Sequence, residues 1–369
     1  MDSWRDWFSW FTVGDWAEAG INWFVATFLV LLTFIRDVLF EAYTTLAGSL
    51  ITPPWWLVLG LAALLVWFVV HELRGRSWPS WQIGLGAAGV LLVVDIGHWY
   101  LNRSSGFAPL DTYGGPYPLL DVERASFLLL YLPPSWVMIL LLACLAGAAR
   151  GPMFGLGAAA GLFLIDLMGQ WVNAMQTLAM VLVAVLVAVL LAIPIGIVAA
   201  RSRIVSSVVK PVLDLMQTMP ALIYVLVAVF MFRVGVVPGI VATIIFAMPP
   251  AIRLTELGIR QVDAEVVEAG HAFGSPSLKI LRQIQLPLAL PTIMAGVNQV
   301  IMLALSMVVL AGFVGGPGLG QQVLAAISRT NLSLGVEAGL SVVILAIYLD
   351  RVTAAIGARS TVARLQRVA

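Results

Sequence analysis

Charge is scarce in this chain: 11% of its 369 residues are Asp, Glu, Lys or Arg, against about 25% in an ordinary soluble domain. Together with 61% hydrophobic residues and a mean hydropathy of +1.00, that scarcity excludes a water-soluble globule. Twenty Lys and Arg against nineteen Asp and Glu leave a net charge of +1, which offers neither a basic field for nucleic acid nor an acidic tail for a basic partner. Cysteine is reduced to Cys144, in an apolar stretch, so an internal disulfide framework and a Cys-rich metal cluster are excluded. The histidines, His71, His98 and His271, are far apart and share no metal-ligand spacing. The only lysines, Lys210 and Lys279, stand outside any Gly-x-x-x-x-Gly-Lys-Ser/Thr phosphate cradle, which excludes a P-loop nucleotide hydrolase. The Gly-rich run 315–320 lacks that lysine as well and reads as a turn or short re-entrant segment.

Apolar runs near the length of a bilayer crossing, about 20 residues of helix, fill the rest. They predict spans at 55–70, 81–99, 134–149, 153–168, 175–200, 220–233, 236–252, 289–312 and 334–350. The run 19–35 reads equally as a tenth span or as part of an interfacial stretch, because Trp4, Trp7, Phe8, Trp10 and Phe11 precede it. Asp2, Asp6 and Asp15 stand where a secretory signal would carry basic residues, so the N-terminal segment is expected to be retained. If the segment 71–80 faces the cytoplasm, alternation places fourteen of the twenty Lys and Arg inside; that bias agrees with the positive-inside rule and predicts a cytoplasmic C-terminus.

Pro53, Pro54 and Trp56 are echoed by Pro133, Pro134 and Trp136, and 84–88 with Asp95 by 155–159 with Asp166. The echo reads equally as a duplicated hairpin and as interfacial Pro and Trp beside small packing residues. Asp95, Asp166, Asp214, Arg233 and Asp350 lie in or near the spans and read as structural or interfacial, with Asp350 ending the last span. A proton relay would want several carboxylates at mid-depth.

The polar excursion 256–287, cytoplasmic by this orientation, predicts two short helices around a sharp turn. Gly274 suits a left-handed helix end, Ser275 an N-cap and Pro276 the first helical position. The second helix places Leu278, Leu281, Ile284 and Gln285 on adjoining turns and is expected to stop near Leu286, ahead of Pro287. Glu268, Ala269, Gly274, Ile284, Leu286 and Pro287 stand at the spacing of the cytoplasmic motif of ABC importer permeases. One position departs: Gly270 occupies a place that in the family is usually alanine.

The segments 171–178 (WVNAMQTL), 219–224 (MPALIY), 248–258 (MPPAIRLTELG), 286–299 (LPLALPTIMAGVNQ), 303–308 (LALSMV), 318–321 (GLGQ) and 344–351 (ILAIYLDR) resemble the glycine betaine/proline (ProW-like) permeases over roughly residues 130–355. The resemblance implies an all-α integral membrane protein, a polytopic bundle of about nine or ten transmembrane helices with a MetI-like ABC importer permease core. The expected divisions are 1–130, an interfacial segment with an additional hairpin; 131–170, a further hairpin; 171–355, the core; and 356–369, a cytoplasmic tail.

The resemblance also implies a plasma-membrane transport subunit that is not itself an enzyme and binds no cofactor. ATP is used by a separate ABC ATPase subunit docked on Glu268, Ala269, Gly270, Gly274, Ser275, Ile284, Leu286 and Pro287. Further implied partners are an extracytoplasmic substrate-binding protein and a second copy of the permease. The implied cargo is glycine betaine, proline or a related quaternary-amine osmoprotectant. Asn298, Gln299, Met302, Ser306 and Met307 are candidates for the translocation path, and packing between helices explains them equally well. Pro194, Pro249, Pro250 and Pro291 are expected to break or kink helices where packing must rearrange. An ion-coupled secondary transporter or channel is the alternative function, and it would need no nucleotide-binding partner.

Overall fold

The computed structural model describes residues 13–53 and 134–358. The expected spans 55–70 and 81–99, the first copy of the hairpin echo and the tail beyond 358 lie outside the described residues. Within them the chain is all-helical: α1 (Val13–Thr27), α2 (Leu29–Ile51), α3 (Pro134–Arg150), α4 (Pro152–Leu167), α5 (Trp171–Arg201), α6 (Arg203–Thr218), α7 (Ala221–Phe232) and α8 (Val236–Arg260) come first. Then follow α9 (Ala264–Ala272), α10 (Ser277–Ile280), a π-helical turn (Leu281–Gln285), α11 (Leu286–Ala311), a 3₁₀ turn (Gly312–Val314), α12 (Leu319–Ser328) and α13 (Leu332–Ala358).

Every expected span in the described residues falls on an apolar helix. Four stretches, Trp171–Arg201, Val236–Arg260, Ser277–Val314 and Leu332–Ala355, are each long and apolar enough to cross a membrane. Two bent pairs add to them: Trp16–Thr27 with Leu29–Ile51 at 79°, and Arg203–Thr218 with Ala221–Phe232 at 100°. The undecided run 19–35 is therefore split across the first bend, and the helix that follows it extends to Ile51 and packs on α5 through Leu32, Leu39 and Tyr43.

The core forms where α8 is held between α5 and α11. Small residues permit that approach: Ala184, Ala188 and Ala192 of α5, Ala247 and Ala251 of α8 and Ala304 and Ala311 of α11 are all buried. Lipid tails are as apolar as leucine, so close backbone packing holds such helices together better than bulky apolar contact. The outward residues of α5, among them Leu182, Leu186 and Leu190, remain exposed, as a hydrocarbon-facing surface requires.

Two expectations are corrected. Of the expected breaks or kinks at Pro194, Pro249, Pro250 and Pro291, none is a break, since each lies inside its helix; the sharp break is at Met219 and Pro220, whose extended backbones (ψ 135° and 137°) turn α6 into α7. Pro220 instead stands at a helix start, the N-cap of α7, where proline is tolerated. Asp350 does not end the last span, because α13 continues to Ala358. Its carboxylate accepts a hydrogen bond from Asn298 Nδ2 at 2.9 Å, which satisfies a polar group inside the helix pair.

Candidate functional site: a helical knuckle between two spans

The segment from α9 to the π-helical turn forms a knuckle joining α8 to α11. Asp263 opens it as an N-cap, its Oδ1 accepting from the Glu265 N–H at 2.9 Å. Gly274 closes α9 with φ +72°. Its N–H donates to His271 O at 2.8 Å and the Ser275 N–H to Gly270 O at 3.2 Å, the paired bonds of a Schellman end. The expected turn at Gly274 is therefore present.

The following helix starts one residue later than expected. Pro276 is extended (ψ 149°) and acts as N-cap, with its carbonyl accepting from Lys279 and Ile280. Ser275, expected as the cap, is absorbed into the end of α9. Nor does the helix stop at Leu286. The π-helical turn accommodates the proline: the Leu286 N–H bonds back to Leu281 O, and Pro287 falls in the first turn of α11, where its missing N–H is tolerated. Ser277–Val314 thereby becomes one rod.

The two halves of the knuckle meet through motif residues. Gly270 is buried, and a Cβ there would stand 3.0 Å from Ile284 Cδ1 and 3.3 Å from Ile280 Cγ1. Ile280 was not singled out from the sequence, yet it is 2% exposed while the expected Leu278 is 58% exposed. Leu286 packs with Ile259, Leu281, Ala289 and Ile293, tying the knuckle to α8 and α11. Pro287 is half-buried, and Glu268, Ala269 and His271 are exposed.

Phe273 stands at the tip, 89% exposed. Glu268, Lys279 and Arg282 form no ion pair within the described residues. An exposed apolar ring on a segment that also carries uncommitted charge suits contact with another macromolecule better than chemistry. Between the knuckle and the bundle runs an open groove of about 410 Å³ lined partly by Arg201, Arg260, Glu268, His271 and Gln285.

The path candidates divide. Gln299, Met302 and Ser306 share one exposed stripe of α11. Asn298 instead bonds Asp350 and accepts from Thr353 Oγ1 at 2.8 Å, a tie between α11 and α13. Met307 is buried with Tyr224, Val225 and Ala242. The Gly-rich run 315–320 is a turn docked on α5, where Thr177 Oγ1 accepts from the Leu319 N–H at 2.8 Å. Sequence reasoning also missed Glu256, which is buried on α8 with Ser206, Lys210 and Arg260 around it. Arg260 is the local i,i+4 partner, but Ser206 is fifty positions away on another helix, and no local pattern points to it.

Residues 192–362 match the family model described as binding-protein-dependent transport system inner membrane component. Over 220 residues the chain is 51% identical to the glycine betaine transport system permease protein OpuAB of Bacillus subtilis (strain 168), covering 60% of this chain and 78% of that protein. The chain belongs to this family of transport permeases. The permease is also 48% identical over 224 residues to the glycine betaine/proline betaine transport system permease protein ProW of Escherichia coli (strain K12), covering 61% of this chain and 63% of that one. Against the glycine betaine/carnitine transport permease protein GbuB of Listeria monocytogenes serotype 1/2a (strain 10403S), identity is 48% over 230 residues, 61% of this chain and 81% of that one. The permease is accordingly an integral membrane transport subunit and not an enzyme.

Proposed function

We propose that this permease imports glycine betaine, proline or a related quaternary amine, driven by ATP hydrolysed on a separate subunit that docks on the knuckle. The observation that carries the substrate class is the 51% identity with a glycine betaine permease over 78% of that protein's length. Docking rests on the tip of the knuckle, with its exposed Phe273 and with Glu268, Lys279 and Arg282, which form no ion pair among the described residues. A quaternary amine donates no hydrogen bond and is selected by an aromatic cage, which we assign to an extracytoplasmic binding protein. Two copies of the permease form the pathway, with the stripe of Gln299, Met302 and Ser306 facing it. Polar amide and hydroxyl groups among flexible Met side chains let a solute pass without trapping it. The core is 171–355, and the knuckle and C-terminus are cytoplasmic.

Uptake of radiolabelled betaine, choline and proline by proteoliposomes holding permease, ATPase subunit and binding protein tests the reading. Betaine uptake dependent on ATP is expected. ATP hydrolysis by the permease alone, or uptake without ATP, would sink it. In a Cys144→Ala background, Arg203→Cys and Lys279→Cys are shielded from an impermeant thiol reagent in whole cells, whereas Arg329→Cys is labelled; the reverse pattern inverts the orientation.

A further inference from the structure

α6 carries apolar residues on two faces, one packed on the core and one exposed. The exposed stripe, Ile204, Val208, Val212 and Leu215, faces away from the bundle and is more than half exposed throughout. Its polar stripe, Ser206, Lys210 and Asp214, one turn apart each, faces α8 instead. Of its side chains only Ser206 and Leu213 are buried. Leu213, flanked by Val209 and Met216, packs into the main apolar core, and the polar seam beside it supplies the rest of the hold of α6 on the chain.

The centre of that seam is Glu256, whose side chain is 6% exposed. Its Oε1 accepts from Ser206 Oγ at 2.7 Å and lies 3.5 Å from Lys210 Nζ and 3.0 Å from Arg260 Nε. Arg260 also donates from Nη2 to Ala199 O at 2.9 Å, so the last turn of α5 joins the cluster. One turn back along α8, Arg253 pairs with Asp214. Carboxylate and donors are thus arranged antiparallel along two helices, and a buried carboxylate with several charged donors fixes their register, because a slip would strand it without partners. α8 ends at Arg260 and α9 begins at Ala264, so this seam stands at the root of the knuckle.

At its other end α6 turns through 100° into α7, where Tyr224 packs edge-on against Phe246 with ring centroids 5.9 Å apart and shares a cluster with Met307 of α11. We propose that Glu256 is a positioning residue for transport: it clamps α6 to the root of the knuckle, so that displacement of the knuckle moves α6 and, through the Met219–Pro220 bend, α7. This deepens the docking reading given above and rests on it.

The test uses the complete transporter, permease with ATPase subunit and binding protein, in proteoliposomes with ATP and glycine betaine. Glu256→Gln keeps the shape and the acceptor for Ser206 but removes the charge that holds Lys210 and Arg260. The ATPase subunit still co-purifies and ATP is still hydrolysed, while betaine moved per ATP falls about fivefold, within the range that residues between coupled sites exert. An unchanged ratio overturns the proposal. Spin labels at positions 230 on α7 and 336 on α13, both exposed, report the same movement independently of cargo: their separation changes on nucleotide trapping in the wild type and stays fixed in Glu256→Gln. A wild-type distance that ignores nucleotide also overturns it.

If Glu256→Gln fails to assemble, the exposed ion pair supplies the second variant. Asp214→Arg lowers the ratio and the added Arg253→Asp restores it; no loss, or no restoration, counts against the seam. Failure of the ATPase subunit to co-purify with the wild type would instead overturn the docking reading, and this proposal with it.

Discussion

The α11 rod is entered through one glycine-centred connection and left through another, and the two are opposites. At the exit, the turn at 315–318 is folded against α5: Leu319 is fully buried, its N–H satisfied by Thr177, and Gln322 Nε2 reaches Asn173 Oδ1 at 3.4 Å. At the entrance, the knuckle satisfies its own backbone through the helix end at Gly274 and leaves Phe273, Glu268, Lys279 and Arg282 exposed while Ile280 and Leu281 pack inward. Glycine serves both connections, so composition alone does not distinguish them. What does is where the polar groups find partners. The exit turn is satisfied by its own chain, whereas at the entrance Phe273 is exposed and Glu268, Lys279 and Arg282 form no ion pair among the described residues.

The sharpest way to break the entrance is Gly274→Pro. Proline fixes φ near −65°, where this backbone needs +72°, and removes the N–H that bonds His271 O; a local cost of about 3 kcal/mol or more is expected. Because no span is touched, the permease should insert normally yet lose co-purification of the ATPase subunit and coupled uptake. Wild-type uptake would show that the knuckle is only a connector. The exit should break differently. Thr177→Val leaves the buried Leu319 N–H without its acceptor, a loss of about 1–3 kcal/mol. That should lower the thermal unfolding midpoint in detergent while the ATPase subunit still co-purifies. Loss of that subunit would mean that the two connections are not independent.

Much of this contrast was legible in the sequence. Gly274 announced a helix end because glycine tolerates left-handed backbone, and the motif spacing located the knuckle. The continuous rod through Pro287 was not legible, because a π-helical turn leaves no residue signature and the local rule for the position before proline predicts a stop. Glu256 escaped because its partners Ser206 and Lys210 belong to another helix. The periodicity of α6 marks an amphipathic helix, but water and lipid assign opposite faces to the outside, and only packing shows that Ser206 faces inward. Asn298 and Gln299 are adjacent and chemically alike, yet one ties α11 to α13 and the other is exposed. Their difference is set by about 100° of helix rotation and by Asp350, fifty-two positions away.

A smaller effect isolates the surface of the knuckle from its frame. Phe273→Ala removes a ring that is 89% exposed, so stability should change by no more than about 0.5 kcal/mol. Co-purification of the ATPase subunit should nevertheless weaken, and Glu268→Lys should act in the same direction by reversing a charge that forms no ion pair among the described residues. Retention of the subunit at wild-type level in both variants would move the docking surface away from the tip.

The smallest effect is expected inside the knuckle, at Gly270→Ala. Two terms oppose each other. Alanine in the interior of α9 favours the helix by roughly 0.5–1 kcal/mol over glycine. Its Cβ would stand 3.0 Å from Ile284 Cδ1 and 3.3 Å from Ile280 Cγ1, closer than carbon atoms pack at rest, at about 3.5–4.0 Å. The closest atom is the end of a flexible side chain that is only half-buried, so Ile284 can turn aside without moving the backbone. The terms should nearly cancel, leaving the unfolding midpoint and the uptake rate close to wild type. Gly270→Leu, which no rotation of Ile284 accommodates, should separate the two helices and abolish docking. If Gly270→Ala already abolished docking, the spacing of the two helices would itself be under constraint, and the entrance would be as rigidly built as the exit.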